Sequence, residues 1–249
     1  MKAVLTYHSI DDSGSAISVD PVTFRMHMKW LSGRGIPVVP LQSILASAEG
    51  TAVALTFDDG FRNFDEFALP VLREYGFPAS LFVVPGNVGK TNAWSGSERA
   101  PGIPTLPLLD WAEIARVAGH GVEIGAHSRS HPFLSRIAPS QLHDEIVGAG
   151  DDIARELGLR PQSFCYPYGD LNAAVVHAAA AAYRIAVTTE LREINDGPVD
   201  SHLVPRIDMY YFRNPRGLES VGTAAFSRYL SFRRAGRTVR GLASRALGR

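Results

Sequence analysis

Two aspartates stand side by side in Thr56-Phe57-Asp58-Asp59-Gly60. Adjacent carboxylates taken out of water raise each other's pKa. A divalent cation removes that cost for one and leaves the other free as a base. The competing reading is a turn, because Asp-Gly is common turn chemistry. Further along, His127 and His131 stand four apart in His-Ser-Arg-Ser-His. Two imidazoles at that spacing meet one ion if the segment makes a helical turn. Imidazole with carboxylate suits Zn2+ or a similar first-row metal. Histidines also serve as structural or solvent-facing groups, so the pair by itself leaves both readings open.

A third group is Phe164-Cys165-Tyr166-Pro167-Tyr168-Gly169-Asp170. It is either an ordinary loop with a core tyrosine or one wall of a sugar pocket. In the second case rings stack on a pyranose and a backbone N–H faces the substrate. Trp94 lies in a long stretch, residues 85–108, rich in Gly, Pro, Ser and Asn. It is a stacking platform or a loop anchor, and a loop of that length in a compact domain is usually functional or disordered. Tyr7-His8-Ser9 means little by itself.

These groups need elements to carry them. Near-continuous apolar runs predict buried parallel strands at residues 3–7, 36–39, 52–57, 79–84, 122–126, 163–166, 184–188 and 203–207. Helices are expected between them. Asp20-Pro21 opens one as cap and first-turn proline, with Phe24, Met28 and Leu31 on one face. Others run over 64–75 and 140–157, ending at Gly76 and Gly158, over 111–118 behind Asp110, and over 171–182. This alternation predicts an α/β fold with a parallel sheet, barrel or doubly wound. The four chemical groups each follow the C-terminal end of a different expected strand, the edge where such sheets build their sites. Four placements on one rim strengthen the functional reading of each.

The 249 residues suit one barrel-sized domain or two small ones, and 45% hydrophobic with 20% charged residues is a globular composition. Formal net charge is zero, so whole-molecule charge says nothing about partners, and no nucleic acid partner is expected. From Arg213 onward, however, nine arginines face one glutamate. Phe232, Val239, Leu242, Ala246 and Leu247 can share a helical face there. That segment is either a solvated basic end or an amphipathic helix for an anionic membrane surface or partner. Cys165 is the single cysteine, which excludes an internal disulfide. No signal peptide is seen and no apolar run approaches the ~18 residues of a membrane span, so the expectation is cytoplasmic, with membrane association through the tail as an option.

The Thr-Phe-Asp-Asp-Gly segment, His127-x-x-x-His131 and Pro167-Tyr168-Gly169 resemble, in that order, three motifs of the polysaccharide deacetylase family (carbohydrate esterase family 4, NodB-homology domain). The resemblance implies a single-domain, distorted (β/α)7-type barrel over residues 1–212, with 213–249 as a basic, helix-compatible extension. It implies metal-dependent hydrolysis of an N-acetyl group from an amino sugar, releasing acetate. Asp58 would be the general base. Asp59, His127 and His131 would hold a divalent metal, Zn2+ first, with Co2+, Ni2+ or Fe2+ as alternatives. The backbone N–H of Tyr168 would help hold the oxyanion. On the pocket-wall reading of the residues themselves, Tyr166 and Pro167 lie along the substrate, as does Trp94 if it is a stacking platform. Two departures stand out. Cys165 occupies the position where the third motif commonly begins with an arginine, and the late Leu-x-His motif carrying the acid is not evident. The early Tyr7-His8 is similar to the poly-N-acetylglucosamine deacetylase branch, which implies His8 as the acid. Arg206 replaces the missing arginine, or it pairs with Asp208 at the surface. Rival readings are hydrolysis of another non-peptide C–N bond and an inactive carbohydrate-binding module. The sugar and the oligomeric state are not written in the sequence.

Overall fold

The computed structural model describes residues 2–47, 50–94, 102–194, 198–223 and 225–233. In chain order its strands are β1 Lys2–Tyr7, β2 Ser9–Ile10, β3 Ser18–Val19, β4 Ala52–Phe57, β5 Ser80–Val83, β6 Glu123–Ala126, β7 Ser163–Cys165, β8 Ile185–Val187 and β9 Arg206–Asp208. The α-helices are α1 Pro21–Gly33, α2 Leu69–Tyr75, α3 Trp111–Gly119, α4 Pro139–Leu157, α5 Ala173–Ala182 and α6 Pro215–Glu219. Seven strands pair in the order β8-β7-β6-β5-β4-β1-β9, every pairing parallel. A parallel bridge from Val187, in β8, to Val204, just before β9, brings the two ends of the sheet together. The result is a nearly closed α/β barrel.

Strand period two sorts the side chains. Ala3, Leu5, Tyr7, Leu55, Phe57, Leu81, Ile124 and Phe164 belong to the core between strands and helices. Val4, Ala54, Phe82, Cys165 and Val187 belong to a second cluster inside the barrel. Residues 36–39, expected to be a strand, form only an isolated bridge from Val38 to Val53. Pro37 and Pro40 flank that bridge and donate no N–H, so no ladder extends from it. The chain turns instead into a 3₁₀ turn, Leu41–Ser43, and Leu41 and Ile44 close the interior beneath β4.

The helices follow their sequence signals. Asp20 caps α1 by accepting from the Thr23 N–H, and Phe24, Met28 and Leu31 are buried. Asp110 and Glu113 make a reciprocal capping box at α3. The helix expected over 64–75 begins as one π turn, Phe64–Ala68, in which the Leu69 N–H donates to the Phe64 carbonyl. Pro70 explains the widened turn, since it cannot supply the next helical N–H. At the other end of the chain, α6 and the helical residues 225–233 lie on the barrel, burying Leu218, Val221, Phe226 and Leu230 in the main core. Phe232 is exposed. Val239, Leu242, Ala246 and Leu247 lie outside the described residues. Among the described residues no helix is long and apolar enough to cross a membrane.

Candidate active site

The same period that packs the barrel aims polar groups into its C-terminal mouth. His8 and Asp58 come one residue after β1 and β4, His127 one after β6, and Cys165 ends β7. In the parallel register Tyr7 pairs with Phe57, so their successors His8 and Asp58 lie side by side. The His8 Nε2 is 3.6 Å from Asp58 Oδ2.

Asp59, His127 and His131 converge. Asp59 Oδ1 lies 3.5 Å from His127 Nε2 and 3.4 Å from His131 Nε2, and the two Nε2 atoms are 3.2 Å apart. All three side chains are buried. His127 Nδ1 sits 2.7 Å from the Cys165 carbonyl, which only accepts. That contact fixes the proton on Nδ1 and leaves the Nε2 lone pair facing the cluster. Burial pushes both imidazoles down, so they are neutral, the form that binds metal. Burial pushes the Asp59 carboxyl up. Asp59 Oδ1 has no hydrogen-bond partner. Lone pairs aimed at one another in a dry site repel unless a cation lies between them. A tetrahedral ion with bonds of ~2.0–2.1 Å has ligand–ligand edges of roughly 3.3 Å, which this triangle matches. The donor set therefore fits a divalent first-row metal.

Asp58 has a different neighbour. Arg206 donates to both its oxygens, Nη1 to Oδ1 at 2.7 Å and Nη2 to Oδ2 at 2.8 Å. Burial pushes this carboxyl up, but the charge and hydrogen bonds of Arg206 outweigh it and hold Asp58 well below the usual carboxylate range. The adjacent aspartates are thus pulled apart in opposite directions. Arg206 also donates to Thr6 Oγ1, to the Thr188 carbonyl and to Cys165 Sγ, and it is fully enclosed. The surface pair with Asp208 is not formed. Asp208 instead accepts from the Tyr210 N–H.

The backbone carries strain in the same place. Asp59, Ser128, His131 and Tyr168 are the non-glycine residues with positive φ among those described, at 73°, 57°, 63° and 59°. Such conformations cost about 1–3 kcal/mol each and survive where the surroundings over-determine them. Each here lies at a site residue or its immediate neighbour. Gly169 follows Tyr168 at φ 66°, and a Cβ there would meet Thr189 Oγ1 at 2.0 Å. That turn needs glycine.

A cavity of about 280 Å³ opens over these groups, lined by Trp94, Tyr166, Tyr168, Ile103 and Pro104 together with Asp58, Asp59, His127 and His131. Trp94 stacks on His131 at 4.5 Å. Pro167 is buried beneath the turn. Tyr166 donates its hydroxyl to the His202 carbonyl. Of the expected site residues, His8, Asp58, Asp59, Trp94, His127, His131, Tyr166 and Tyr168 line this cavity; Pro167 and Arg206 do not, and Arg206 reaches it through Asp58. Sequence reasoning missed Asn63, which donates to Ser9 Oγ at 2.6 Å and accepts from the Ile10 N–H at 3.1 Å, tying the His8 segment to the Asp58-Asp59 turn. It also missed Thr6 and Thr56, whose strand parity with Asp58 was the available signal.

Comparison with known proteins agrees with this geometry. The polysaccharide deacetylase family model matches residues 46–186. YxkH of Bacillus subtilis (strain 168) is 28% identical over 194 residues, covering 75% of this chain and 64% of that protein. The chitooligosaccharide deacetylase of Bradyrhizobium sp. (strain ANU 289) is 30% identical over 155 residues, covering 61% and 62%. The chain thus spans just under two thirds of the length of these curated relatives. Among solved structures, IcaB from Ammonifex degensii superposes with a TM-score of 0.72 at 22% identity, covering 90% of this chain and 96% of that one. The Streptococcus pyogenes deacetylase PplD superposes at 0.69 and 22%, covering 83% and 91%. At those identities the structures establish the shared fold.

Proposed function

The chain belongs to the polysaccharide deacetylase family, and on that premise we propose that it removes the acetyl group from an N-acetylated amino sugar by hydrolysis, releasing acetate. The observation that carries this reading is the pairing of two neighbouring carboxylates in opposed settings. Asp59 faces two neutral imidazoles, and Asp58 is clamped by Arg206 beside His8.

In this proposal Asp59, His127 and His131 hold the metal, with Zn2+ favoured by the two imidazoles and one carboxylate. Such an ion, when bound, acts as a Lewis acid on the acetyl carbonyl and makes water acidic enough to attack near neutral pH. Asp58 accepts the proton of the attacking water. Arg206 keeps that carboxylate ionised and fixed in plane, the task an arginine performs from the position that Cys165 holds here. The Tyr168 N–H, presented by its left-handed turn, donates to the oxygen that gains charge as the carbonyl becomes tetrahedral. His8, partly open to the cavity, gives its proton to the departing amine. Trp94, Tyr166 and Pro167 form the wall against which the sugar lies. The site residues all lie within residues 1–212, the proposed catalytic unit, and Leu218, Val221, Phe226 and Leu230 of the extension pack into its core. The Arg-rich extension 213–249 offers charge for an anionic membrane surface.

Acetate release from a panel of N-acetyl sugars, with and without chelator, tests the reading. Turnover that chelator abolishes and Zn2+ or Co2+ restores is expected. Undiminished hydrolysis by the metal-free protein would refute it.

A further inference from the structure

The wall of the cavity does not stop at Tyr168. Phe133 stacks face to face on the Tyr168 ring, 4.1 Å between centroids and 16° between planes. The Arg136 guanidinium lies 4.2 Å from the Phe133 centroid. Tyr168 covers one face of Phe133, so Arg136 must cover the other. On its opposite flank Tyr168 meets His131 edge-on at 4.6 Å, and His131 carries Trp94. A continuous row thus runs from the cavity across Tyr168 and Phe133 and ends in a cation.

This row is held in place. Arg136 ends the 3₁₀ turn Leu134–Arg136, whose Leu134 is buried. Ser135 in the middle of that turn donates through its N–H and its hydroxyl to both oxygens of Asp170, at 2.7 and 2.8 Å. The turn is thereby fastened to the loop that presents Tyr168. Arginines close to the site are mostly spoken for: Arg206 by Asp58, Arg129 by Asp152, Arg192 by Glu190. Arg136 is exposed and, among the described residues, has no carboxylate partner. A guanidinium stacked on a ring is pre-oriented, with its N–H fork turned outward for a planar anion.

The cavity, about 280 Å³, is lined by Tyr168, where this row begins. We propose that Arg136 is a specificity-determining residue: it binds an anionic group, phosphate or carboxylate, attached to the acetamido sugar whose acetyl is removed. This inference rests on the deacetylase reading for its reaction and on Arg136 alone for its anion. The preferred substrate class is an anionic glycoconjugate or a sugar phosphate, and neutral oligomers are turned over less well.

The test uses the metal-loaded full chain, wild type, Arg136→Gln and Arg136→Lys. Three probes are compared: neutral N-acetylglucosamine oligomers, a phosphate ester of N-acetylglucosamine, and N-acetylmuramic acid as the carboxylate arm. Both kcat/KM for acetate release and binding affinity are measured. The expected result is about a tenfold wild-type preference for an anionic arm, read mainly in KM and fading as salt rises. Arg136→Gln should abolish the preference while leaving kcat/KM on the neutral probe within about twofold, and Arg136→Lys should restore part of it. The preferred arm identifies the anion. Equal losses on neutral and anionic probes, or no wild-type preference, would overturn the proposal. Should no probe release acetate, the deacetylase reading falls. The Arg136 assignment then stands if wild type binds an anionic probe more tightly than Arg136→Gln does, and falls with it if the affinities match.

Discussion

In the proposed reaction Asp58 and Arg206 form the pair on which the chemistry turns, and their burial makes them costly to separate. Removing one partner of a buried, hydrogen-bonded ion pair typically costs about 3–5 kcal/mol, because the other charge stays behind in a dry site. Arg206→Met is therefore expected to lower the urea midpoint sharply and to lose activity. A variant with the wild-type midpoint would show that the clamp adds nothing to stability. Arg206→Lys keeps the charge but not the bidentate fork, so partial retention of both properties is expected. Asp58→Asn should lower kcat by at least about 10²-fold, the low end for a positioned base, while elemental analysis still finds bound metal. Retained turnover would remove Asp58 from its role. The cluster itself was legible in the sequence: the Asp-Asp-Gly and His-x-x-x-His spacings named four of the groups, the family resemblance named His8, and strand-end position named Arg206. Asn63 was not legible, because its two hydrogen bonds cross from one strand's end to another's. The tight fit of Gly169 against Thr189 was hidden for the same reason.

Elements hold these residues to their tolerances. The turn after β7 has room for glycine alone at position 169, with positive φ and Thr189 pressed against it. Gly169→Ala should shift the Tyr168 peptide and lower kcat/KM by an order of magnitude or more, with circular dichroism unchanged. Wild-type kinetics would mean that the Tyr168 N–H is not used. Helix α1 is tied to the barrel by His27, which is fully buried, with Nδ1 3.1 Å from the Tyr7 hydroxyl and Nε2 3.0 Å from the Phe212 carbonyl. Burial holds His27 down at about 4. The unfolded chain, with an imidazole near 6.5, takes up the proton first as pH falls, so this residue's contribution is complete above about pH 6.5 and drains away toward pH 4. The urea midpoint of wild type should therefore fall between pH 7 and pH 5, and that of His27→Gln should fall less. Parallel curves would contradict the assignment. Seven of the eight expected strands are present, because unbroken apolar runs report burial on both faces. The eighth, at residues 36–39, is equally apolar, yet its flanking prolines withhold the N–H groups that a ladder needs.

At the scale of the molecule, closing seven parallel strands brings groups from residue 8 to residue 206 onto one rim. The site exists only when the barrel does. Metal that binds the folded chain and not the unfolded one must stabilise it, by about 2.7 kcal/mol when free ion stands at a hundred times its Kd. Chelation should accordingly lower the melting temperature, and replacing Asp59 by Ala should erase that difference. The last core residues, Phe226 and Leu230, come from beyond the final strand: Phe226 packs against Phe212, and both join the main core. The central claim is that Asp59, His127 and His131 hold one ion that the reaction requires. The most direct test is metal content and acetate release measured on the same preparations of wild type, Asp59→Ala and His131→Ala. The account predicts about one divalent ion per wild-type chain with acetate released, and neither in the two variants. A variant that keeps its ion, or a metal-free wild type that releases acetate at full rate, would contradict it.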